Sequence, residues 1–212
     1  MSFNSEWNTV YSQKGMAAYP DNMLIRFIAT NYYTAPVRKD IKFLDIGCGG
    51  GASTWFLSRE GFSVAAIDGS AVAMERLRER LKSENLEAFL GCGDFTKLEF
   101  KPDYFDCIID VSSLCYVQKD KIEDVMKQLH TVLKPGGRFF SITPTNECAK
   151  PPFDHTVNGV NLEARFQDHI EAAKNFKGFK DVNLNSYSYD VRKNNVCQRI
   201  NLWVITAEKE GA

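Results

Sequence analysis

The stretch FLDIGCGGG, residues 43–51, places three consecutive glycines directly after a short apolar run. An apolar run of this length that ends in glycine is typical of a buried strand, which we assign to residues 41–47. Glycine permits positive φ and lets the backbone approach a ligand closely. A helix that begins near Ala52 would direct its first amide groups toward the same ligand. The stretch therefore predicts a ligand-binding bend between a strand and a helix.

Strand-like and helix-like patterns alternate along the rest of the chain. Short apolar runs predict further strands at residues 62–68, 86–94, 105–111 and 138–143. Helical spacing of apolar residues predicts helices at residues 52–60, 71–85 and 119–133. Because short buried strands alternate with helices, we expect a parallel sheet that is covered on both faces. The remaining patterns predict a helix at residues 166–176 and an antiparallel hairpin from residues 182–191 and 199–208.

The composition indicates a soluble globular protein. The 212 residues are 44% hydrophobic and 25% charged, and the net charge is -1. This balance gives no electrostatic attraction to nucleic acid or to an anionic membrane. No apolar run approaches the roughly 20 residues that span a bilayer, and residues 1–15 have no apolar signal-peptide core. We therefore predict a cytoplasmic protein, monomeric or homodimeric, that binds neither nucleic acid nor membrane.

The six cysteines do not suggest a metal centre. No two of them have the C-x-x-C spacing of zinc sites, and three lie in or beside apolar, strand-like runs. We expect reduced, buried thiols and no metal ion.

Two ligand classes fit the glycine bend. With Gly47, Gly49 and Ala52 the bend matches the G-x-G-x-x-A fingerprint of dinucleotide-binding folds. The same bend reads D-x-G-x-G-x-G when it is taken with Asp45, Gly47, Gly49 and Gly51. In that form it resembles motif I of the class I S-adenosylmethionine-dependent methyltransferases. The bend alone does not separate the two classes.

The rest of the chain favours the methyltransferase resemblance. Residues 91–95, GCGDF, follow the third strand, where that family places an acid for the adenine amino group. Residues 105–110, FDCIID, resemble its motif IV strand, and residues 133–140, LKPGGRFF, resemble its turn into the fifth strand. The predicted hairpin resembles its reversed seventh strand. Four motifs in the family's order are more specific than one glycine bend, and the resemblance covers residues 40–146 and the hairpin.

The resemblance implies a Rossmann-like methyltransferase fold of the α/β class. Its sheet is doubly wound and mostly parallel, with seven strands, helices on both faces and an antiparallel C-terminal strand. We expect one domain over residues 1–212. Within it we expect a helical cap or lid at 1–40, a cofactor-binding core at 41–145, and a substrate loop, helix and hairpin at 146–212.

The resemblance also implies S-adenosyl-L-methionine as cofactor and S-adenosyl-L-homocysteine as product. The family's acid at the end of the second strand holds the ribose hydroxyls, and Asp68 has that position here. Asp45, Asp68 and Asp94 suit a ligand that carries a positive sulfonium and no pyrophosphate. Alternatively, Asp45 accepts backbone amides of the bend. The expected cofactor-binding residues are Tyr11, Arg26, Asp45, Gly47, Cys48, Gly49, Gly51, Asp68, Gly69, Ser70, Asp94, Phe95 and Asp110.

The first forty residues are rich in aromatic side chains, and two interpretations stay open. The aromatic residues cover the sheet, or they form a lid that excludes water, in which Tyr11 and Arg26 reach the cofactor carboxylate. In the second case Arg26→Ala raises the cofactor Kd before it affects folding. The pattern W-x3-Y followed by YPDNMLIRF resembles the leader of small bacterial methyltransferases that act on sugars or other metabolites.

Three residues are candidates for catalysis at the acceptor site. Asp110 and Tyr116 follow the fourth strand, which the resemblance places beside the transferred methyl group. Capping and packing are the alternative roles for these two residues. His155 lies in a polar loop after the fifth strand and is a candidate base or substrate ligand.

Together these patterns predict a metal-independent methyltransferase. Its substrate would be a small polar metabolite, such as a sugar, methylated on oxygen or nitrogen by in-line displacement. Two alternatives stay open: an NAD(P)-dependent oxidoreductase, and a non-catalytic cofactor-binding partner subunit. The oxidoreductase alternative lacks a tyrosine–lysine pair at helical spacing after the fourth strand.

Overall fold

A computed structural model describes residues 5–13, 17–147, 164–165, 167–193 and 196–211. Its α-helices are α1 (Glu6–Gln13), α2 (Asn22–Tyr32), α3 (Ala52–Arg59), α4 (Ala71–Ser83), α5 (Ile122–Val132) and α6 (His169–Lys174). Its strands are β1 (Lys42–Ile46), β2 (Ser63–Asp68), β3 (Phe89–Cys92), β4 (Phe105–Val111), β5 (Leu133–Pro144), β6 (Phe179–Lys193) and β7 (Val196–Lys209). Short 3-10 turns occur at Arg38–Asp40 and Leu114–Tyr116.

The strands form one sheet in the order β3-β2-β1-β4-β5-β7-β6. Neighbours among β1 to β5 pair in parallel, whereas β7 runs antiparallel to both β5 and β6. The predicted seven-stranded, doubly wound sheet with a reversed C-terminal strand is therefore confirmed. The strand order reverses between β1 and β4, and doubly wound folds bind ligands at the carboxyl ends of strands at such a reversal.

Helices cover both faces of the sheet. On one face α5 and α6 enclose a core that includes Leu129, Phe139 and Phe176. On the other face α2 and α3 pack around Phe43 and Phe140. These two cores hold the central strands rigidly, so the ends of β1 and β4 are fixed relative to each other.

The fifth strand begins earlier than the sequence pattern predicts. Leu133 already pairs with Phe105, and a register shift then separates this pair from the next one, between Cys107 and Arg138. The KPGG segment, which we expected to precede the strand, is therefore a bulge within it. A bulge inserts extra residues into a ladder without ending it, and periodicity in the sequence does not reveal this.

The third strand is shorter than predicted and lies at the edge of the sheet. Only Phe89–Cys92 is extended, because a side-chain turn at Asp94 follows, in which the amide of Thr96 donates to the carboxylate at 2.9 Å. The connection from β3 to β4, residues 93–104, contains no helix. Phe100 and Tyr104 from this connection pack instead against the core on the α5 face.

The N-terminal segment lies partly over the sheet and partly over α4. Leu24 and Ile28 of α2 are fully buried against the sheet. In α1, the amide oxygen of Asn8 accepts a hydrogen bond from the hydroxyl of Ser70 at 2.7 Å. None of the described helices combines the length and the apolarity that a bilayer crossing requires.

Gly51 tests how tightly the bend is packed. Its φ is +72°, and a Cβ at this position would overlap the Leu77 side chain of α4. We expect Gly51→Ala to lower the free energy of unfolding by roughly 2–4 kcal/mol, from left-handed strain and overpacking combined. Gly61→Ala is the matched control, since Gly61 has φ +87° with open space around its Cβ position. Gly61→Ala should lower the free energy of unfolding by about 1 kcal/mol. Urea unfolding of both variants measures the difference. Equal losses in the free energy of unfolding would mean that Leu77 and α4 move aside without an energetic penalty, which would contradict the prediction.

Candidate functional site

The glycine bend is held by the end of β2. The Asp68 carboxylate accepts the amide of Gly49 at 2.8 Å and the amide of Ser70 at 2.7 Å. The amide of Cys48 donates to the carbonyl of Ile67 at 3.2 Å. Asp68 is buried, and burial raises the pKa of its carboxyl group. The residue that we expected to bind ribose hydroxyls therefore also orders the bend.

The bend needs glycine because other groups approach its backbone. Gly49 has φ +50°, and a Cβ on it would lie only 2.5 Å from the hydroxyl oxygen of Tyr11. A Cβ on Gly47 would overlap Ser113 and lie 3.5 Å from the Phe95 ring. The bend is thus enclosed by α1, by the segment after β3 and by the turn after β4.

Asp45 is buried on β1 directly before the bend. Its carboxylate accepts the Thr54 hydroxyl at 2.6 Å. A backbone hydrogen bond from Thr54 in α3 also reaches Asp45, whereas the bend amide of Gly49 donates to Asp68. Burial, with the charges of Asp68 and Asp110 added to it, raises the pKa of Asp45 to about 7.

Asp110 is fully buried at the end of β4. Its carboxylate accepts the amides of Ser113 at 2.8 Å and Leu114 at 3.0 Å, and the hydroxyl of Ser141 at 2.6 Å. Burial raises the pKa of Asp110 to about 6. The protein itself uses three of the roughly four acceptor positions of this carboxylate, so the predicted contact of Asp110 with cofactor or acceptor stays a prediction. The geometry favours the capping role.

Three aromatic side chains meet over the carboxyl ends of the strands. The Trp7 ring stacks on Tyr11 with centroids 5.7 Å apart and meets Tyr116 edge-on at 5.0 Å. Burial raises the pKa of both tyrosines, and the Asp68 charge raises that of Tyr11 further. The structure thus brings Tyr11 to the glycine bend, where the lid interpretation places it, and Tyr116 against Trp7.

The segment after β3 lies on the other side of Asp68. Gly93 donates its amide to the Asp68 carbonyl at 2.9 Å, which places the Asp94 turn beside the end of β2. Asp94 is half-buried and accepts the Thr96 hydroxyl at 2.7 Å in addition to the Thr96 amide. Asp94 and the neighbouring Phe95 therefore border the site, and Asp94 also organises its own turn; their contact with a cofactor stays a prediction.

The remaining bend residues contribute backbone and packing. Ser70 caps α4, as predicted, with its hydroxyl accepting the Ala73 amide at 3.2 Å. The Gly69 carbonyl accepts the Cys92 thiol at 3.9 Å. The Cys48 sulfur lies 3.7 Å from the Met74 sulfur, and burial raises the pKa of the Cys48 thiol.

One predicted site residue, Arg26, is not brought to this place, and another lies outside the described residues. Arg26 is exposed on α2, two residues from both Leu24 and Ile28, and thus on the side of the helix that faces away from the sheet. A reach from Arg26 to the cofactor carboxylate is therefore not supported. His155 lies outside the described residues, and its predicted role stays a prediction.

Sequence reasoning missed three residues that hold the site together. Thr54 binds Asp45, Asn8 binds Ser70, and the Ser113 hydroxyl donates to the Gly47 carbonyl at 3.0 Å. Asn8 and Ser113 are each more than sixty residues from their partners, so no local pattern indicates the pairs. Thr54 is nearer, two residues into the helix after the bend, where a hydroxyl facing the preceding strand could have been predicted.

The electrostatics of the site favour a cationic ligand. Burial raises the pKa of both Asp45 and Asp68, and the Asp68 charge raises that of Asp45 further, so added negative charge is unfavourable there. A pyrophosphate would add such charge, whereas a sulfonium or ammonium group would offset it. In the described part of the chain no three His, Cys, Asp or Glu side chains are grouped for a metal ion.

The sequence matches a known family over the region that builds this site. Residues 43–137 match a family described as "Methyltransferase domain". This segment runs from β1, just before the glycine bend, through the KPGG bulge. It contains Asp45, Asp68, Asp94 and Asp110.

Individual proteins show the same likeness. Over 100 residues the chain is 34% identical to Methyltransferase GfsG of Streptomyces halstedii, which covers 46% of this chain and 35% of that protein. Over 110 residues it is 29% identical to Sterol 24-C-methyltransferase of Kluyveromyces lactis, covering 50% and 29%. The chain thus spans about a third of the length of these relatives. A SAM-dependent methyltransferase from Methanosarcina mazei has the same fold, with a TM-score of 0.72 and 17% identity over 92% of this chain and 100% of that one.

The raised pKa of Asp45 has a consequence for stability. The ordinary value is 3.8 and the folded value about 7, so between these pH values the folded state holds a proton that the unfolded state has lost. The stability that this proton provides is present at low pH and is lost as the pH rises through about 7. We expect the free energy of unfolding to fall by roughly 2 kcal/mol more between pH 5 and pH 8 in the wild type than in Asp45→Asn.

Urea unfolding at a series of pH values measures this difference. Asp94→Asn is the matched control, since Asp94 is only half-buried, and it should keep the wild-type pH dependence. Parallel curves for wild type and Asp45→Asn would contradict the prediction.

Proposed function

We propose that this chain acts as a class I S-adenosylmethionine-dependent methyltransferase, which transfers a methyl group from this cofactor to an oxygen or nitrogen atom of a small polar metabolite. The observation that carries the proposal is the pair of buried carboxyl groups, Asp45 and Asp68, at a glycine bend that Tyr11 covers. Such a site suits a ligand with a positive centre and hydroxyl groups.

The residues of the bend fit the cofactor's parts. S-adenosylmethionine, when bound, supplies a methyl group on a positively charged sulfonium. Asp68 would accept the ribose hydroxyls, because a carboxylate has about four acceptor sites and the amides of Gly49 and Ser70 use two. Asp94 and Phe95, which border the end of β2, would hold the adenine.

Tyr11 would bind the carboxylate end of the cofactor and close the site. Its hydroxyl lies over Gly49, and its raised pKa keeps the proton in place, so that it acts as a hydrogen-bond donor. The stack of Trp7 on Tyr11 holds α1 over the bend and excludes water from it. Exclusion of water strengthens the electrostatic interactions inside the site.

On the acceptor side, the protein's contribution would be positioning. The amides of Ser113 and Leu114 donate to Asp110 and hold the turn 112–116, and this turn presents Tyr116 against Trp7. A raised pKa keeps the Tyr116 hydroxyl protonated, so it would orient an acceptor and not deprotonate it. An amine acceptor needs no base beyond this arrangement, whereas a hydroxyl acceptor gains from one, and His155 stays the candidate.

The preference for a small polar acceptor rests on the N-terminal leader. Trp7 and Tyr11 of the W-x3-Y pattern lie over the site, as a leader of metabolite methyltransferases would. One relative is named for a sterol carbon, so the acceptor atom is open to test on oxygen, nitrogen and carbon substrates. A cytoplasmic location and a monomeric or homodimeric state remain predictions.

Thermal unfolding with S-adenosylmethionine, S-adenosylhomocysteine and NAD tests the cofactor. At about 100 times its Kd a ligand stabilises the folded state by roughly 2.7 kcal/mol. For a chain of this length we expect Tm to rise by about 5–10 °C with each adenosyl ligand and not with NAD. A rise in Tm with NAD alone would favour the alternative of an NAD(P)-dependent oxidoreductase. Binding of S-adenosylmethionine without turnover on a broad acceptor panel would favour the non-catalytic subunit.

Tyr11→Phe and Arg26→Ala separate the two residues predicted to reach the cofactor carboxylate. Loss of the Tyr11 hydroxyl should raise the Kd of S-adenosylhomocysteine about 10-fold, because a hydrogen bond to a charged group is lost. Arg26→Ala should leave this Kd unchanged, because Arg26 is exposed on the outer side of α2. Isothermal titration measures both. A larger effect from Arg26→Ala than from Tyr11→Phe would mean that α2 and not α1 closes the site.

A further inference from the structure

A groove of about 940 Å³ lies at the opposite end of the sheet from the glycine bend. It is formed by the amino ends of β2 and β3, the C-terminal ends of α3 and α4, and the loop that joins α4 to β3. Its floor is apolar, with Val64, Leu81 and Leu86 among the lining residues. The groove is far from the residues assigned to the cofactor, so it needs a separate explanation.

One wall of the groove is an unprotected sheet edge. β3 pairs with β2 on one side, and no described strand pairs with its other side. Phe89 is 59% exposed on this strand, and its ring meets that of Phe100, from the connection after β3, edge-on at 5.9 Å. That connection contains no helix. An exposed edge strand presents unpaired N–H and C=O groups in a row, which is a template for another extended chain.

A buried hydroxyl points to the same conclusion. Ser58, near the end of α3, lines the groove and is 9% exposed. Its hydroxyl oxygen is buried and has no hydrogen-bond partner among the described residues. Buried polar groups in native proteins are normally paired, and a polar group brought by a ligand would satisfy this one.

The charges around the groove indicate an acidic ligand. Lys39, Arg78 and Lys82 line it, against one acid, Glu87. Arg78 forms an ion pair with Glu75, whereas Lys39 and Lys82 form none within the described part of the chain. A protein with a net charge of -1 has no general excess of cations, so this local excess is specific to the groove.

The same charges disfavour a second copy of this chain as the occupant. A two-fold symmetric contact would bring each patch against itself, so Lys39 and Lys82 of one copy would face the same lysines of the other. Like charges across an interface cost several kcal/mol in general. A different protein of opposite charge avoids this repulsion.

We propose that this groove binds an extended, acidic segment of a partner protein, which pairs with the free edge of β3 and packs an apolar side chain against Phe89. The cationic side chains Lys39 and Lys82 attract the segment's carboxylates. Because the groove lies at the amino ends of the strands, the partner leaves the carboxyl-end site accessible.

Selection from a displayed library of random 12-residue peptides tests the proposal without knowledge of the partner. The wild-type protein is the bait, and the double variant Lys39→Glu/Lys82→Glu is used for counter-selection. We expect enrichment of peptides with net negative charge and alternating apolar residues. The Kd of an enriched peptide, measured by fluorescence anisotropy, should rise at least 10-fold in Phe89→Ser and in the double lysine variant. Hydrogen exchange of the β3 amides should slow when the peptide binds.

Tyr189→Ser is the matched control, since Tyr189 is a 38% exposed aromatic residue on β6, at the far edge of the sheet. It should leave the peptide Kd within twofold. Failure to enrich any peptide, enrichment of basic peptides, or equal affinity for wild type and Phe89→Ser would each overturn the proposal. Concentration-dependent dimers that Phe89→Ser abolishes would overturn it in favour of a second copy. The selection uses neither cofactor nor turnover, so its failure would leave the proposed methyl transfer untouched.

Discussion

The crowding of buried carboxyl groups at one edge of the sheet is the constraint on which the site depends. Asp45, Asp68 and Asp110 end three adjacent strands, and each is buried. Such groups persist in a folded protein only when hydrogen-bond donors reach them or protons stay bound. The donors here are the amides of the glycine bend, the Thr54 hydroxyl and the turn after β4. The loops that surround the site are therefore shaped by the need to solvate these carboxylates.

The three acids differ in how much hydrogen-bond acceptor capacity they keep for a ligand. Asp110 is fully buried and gives one oxygen to its turn and the other to Ser141 of β5, whereas Asp68 binds one amide with each oxygen and keeps acceptor capacity. Asp45 receives hydrogen bonds from Thr54 alone among the described residues, and its pKa of about 7 is higher than the value of about 6 for Asp110. A cationic ligand near Asp45 would stabilise its ionised form. The free site therefore lacks a positive charge beside Asp45, and a sulfonium group would supply one.

Much of the fold could be predicted from the sequence because its signals are local. The strand before the glycine bend, the Ser70 cap and the periodicity of α5 each depend on neighbouring residues, and each formed within a few residues of the prediction. The family resemblance added the positions of Asp68 and Asp94 at strand ends. Contacts between distant segments were not predictable. Tyr11 lies over Gly49 because Asn8 binds Ser70, and no pattern in residues 1–40 contains that information.

The differences between the sequence pattern and the structure have the same origin. Asp110 follows a strand as a ligand-binding acid would, but its surroundings provide three donors that its own segment and β5 supply. Arg26 is a cationic residue in the N-terminal segment, but helical geometry places it on the side of α2 that faces away from the sheet. The β5 bulge depends on pairing with β4, which periodicity does not report. Sequence patterns identify which residues are near a strand end, and tertiary packing decides which of them remain free for a ligand.

The position of β7 inside the sheet bears on how the chain acquires its structure. Residues 196–209 are inserted between β5 and β6, so β5 has no second neighbour until they have been synthesised. During translation the parallel strands and the glycine bend emerge well before that stretch. A nascent chain that has reached β6 would still expose the apolar face and open edge of β5, which carries Phe139 and Phe140. Binding competence should therefore arise late in synthesis, and chaperone contact in that interval would centre on β5.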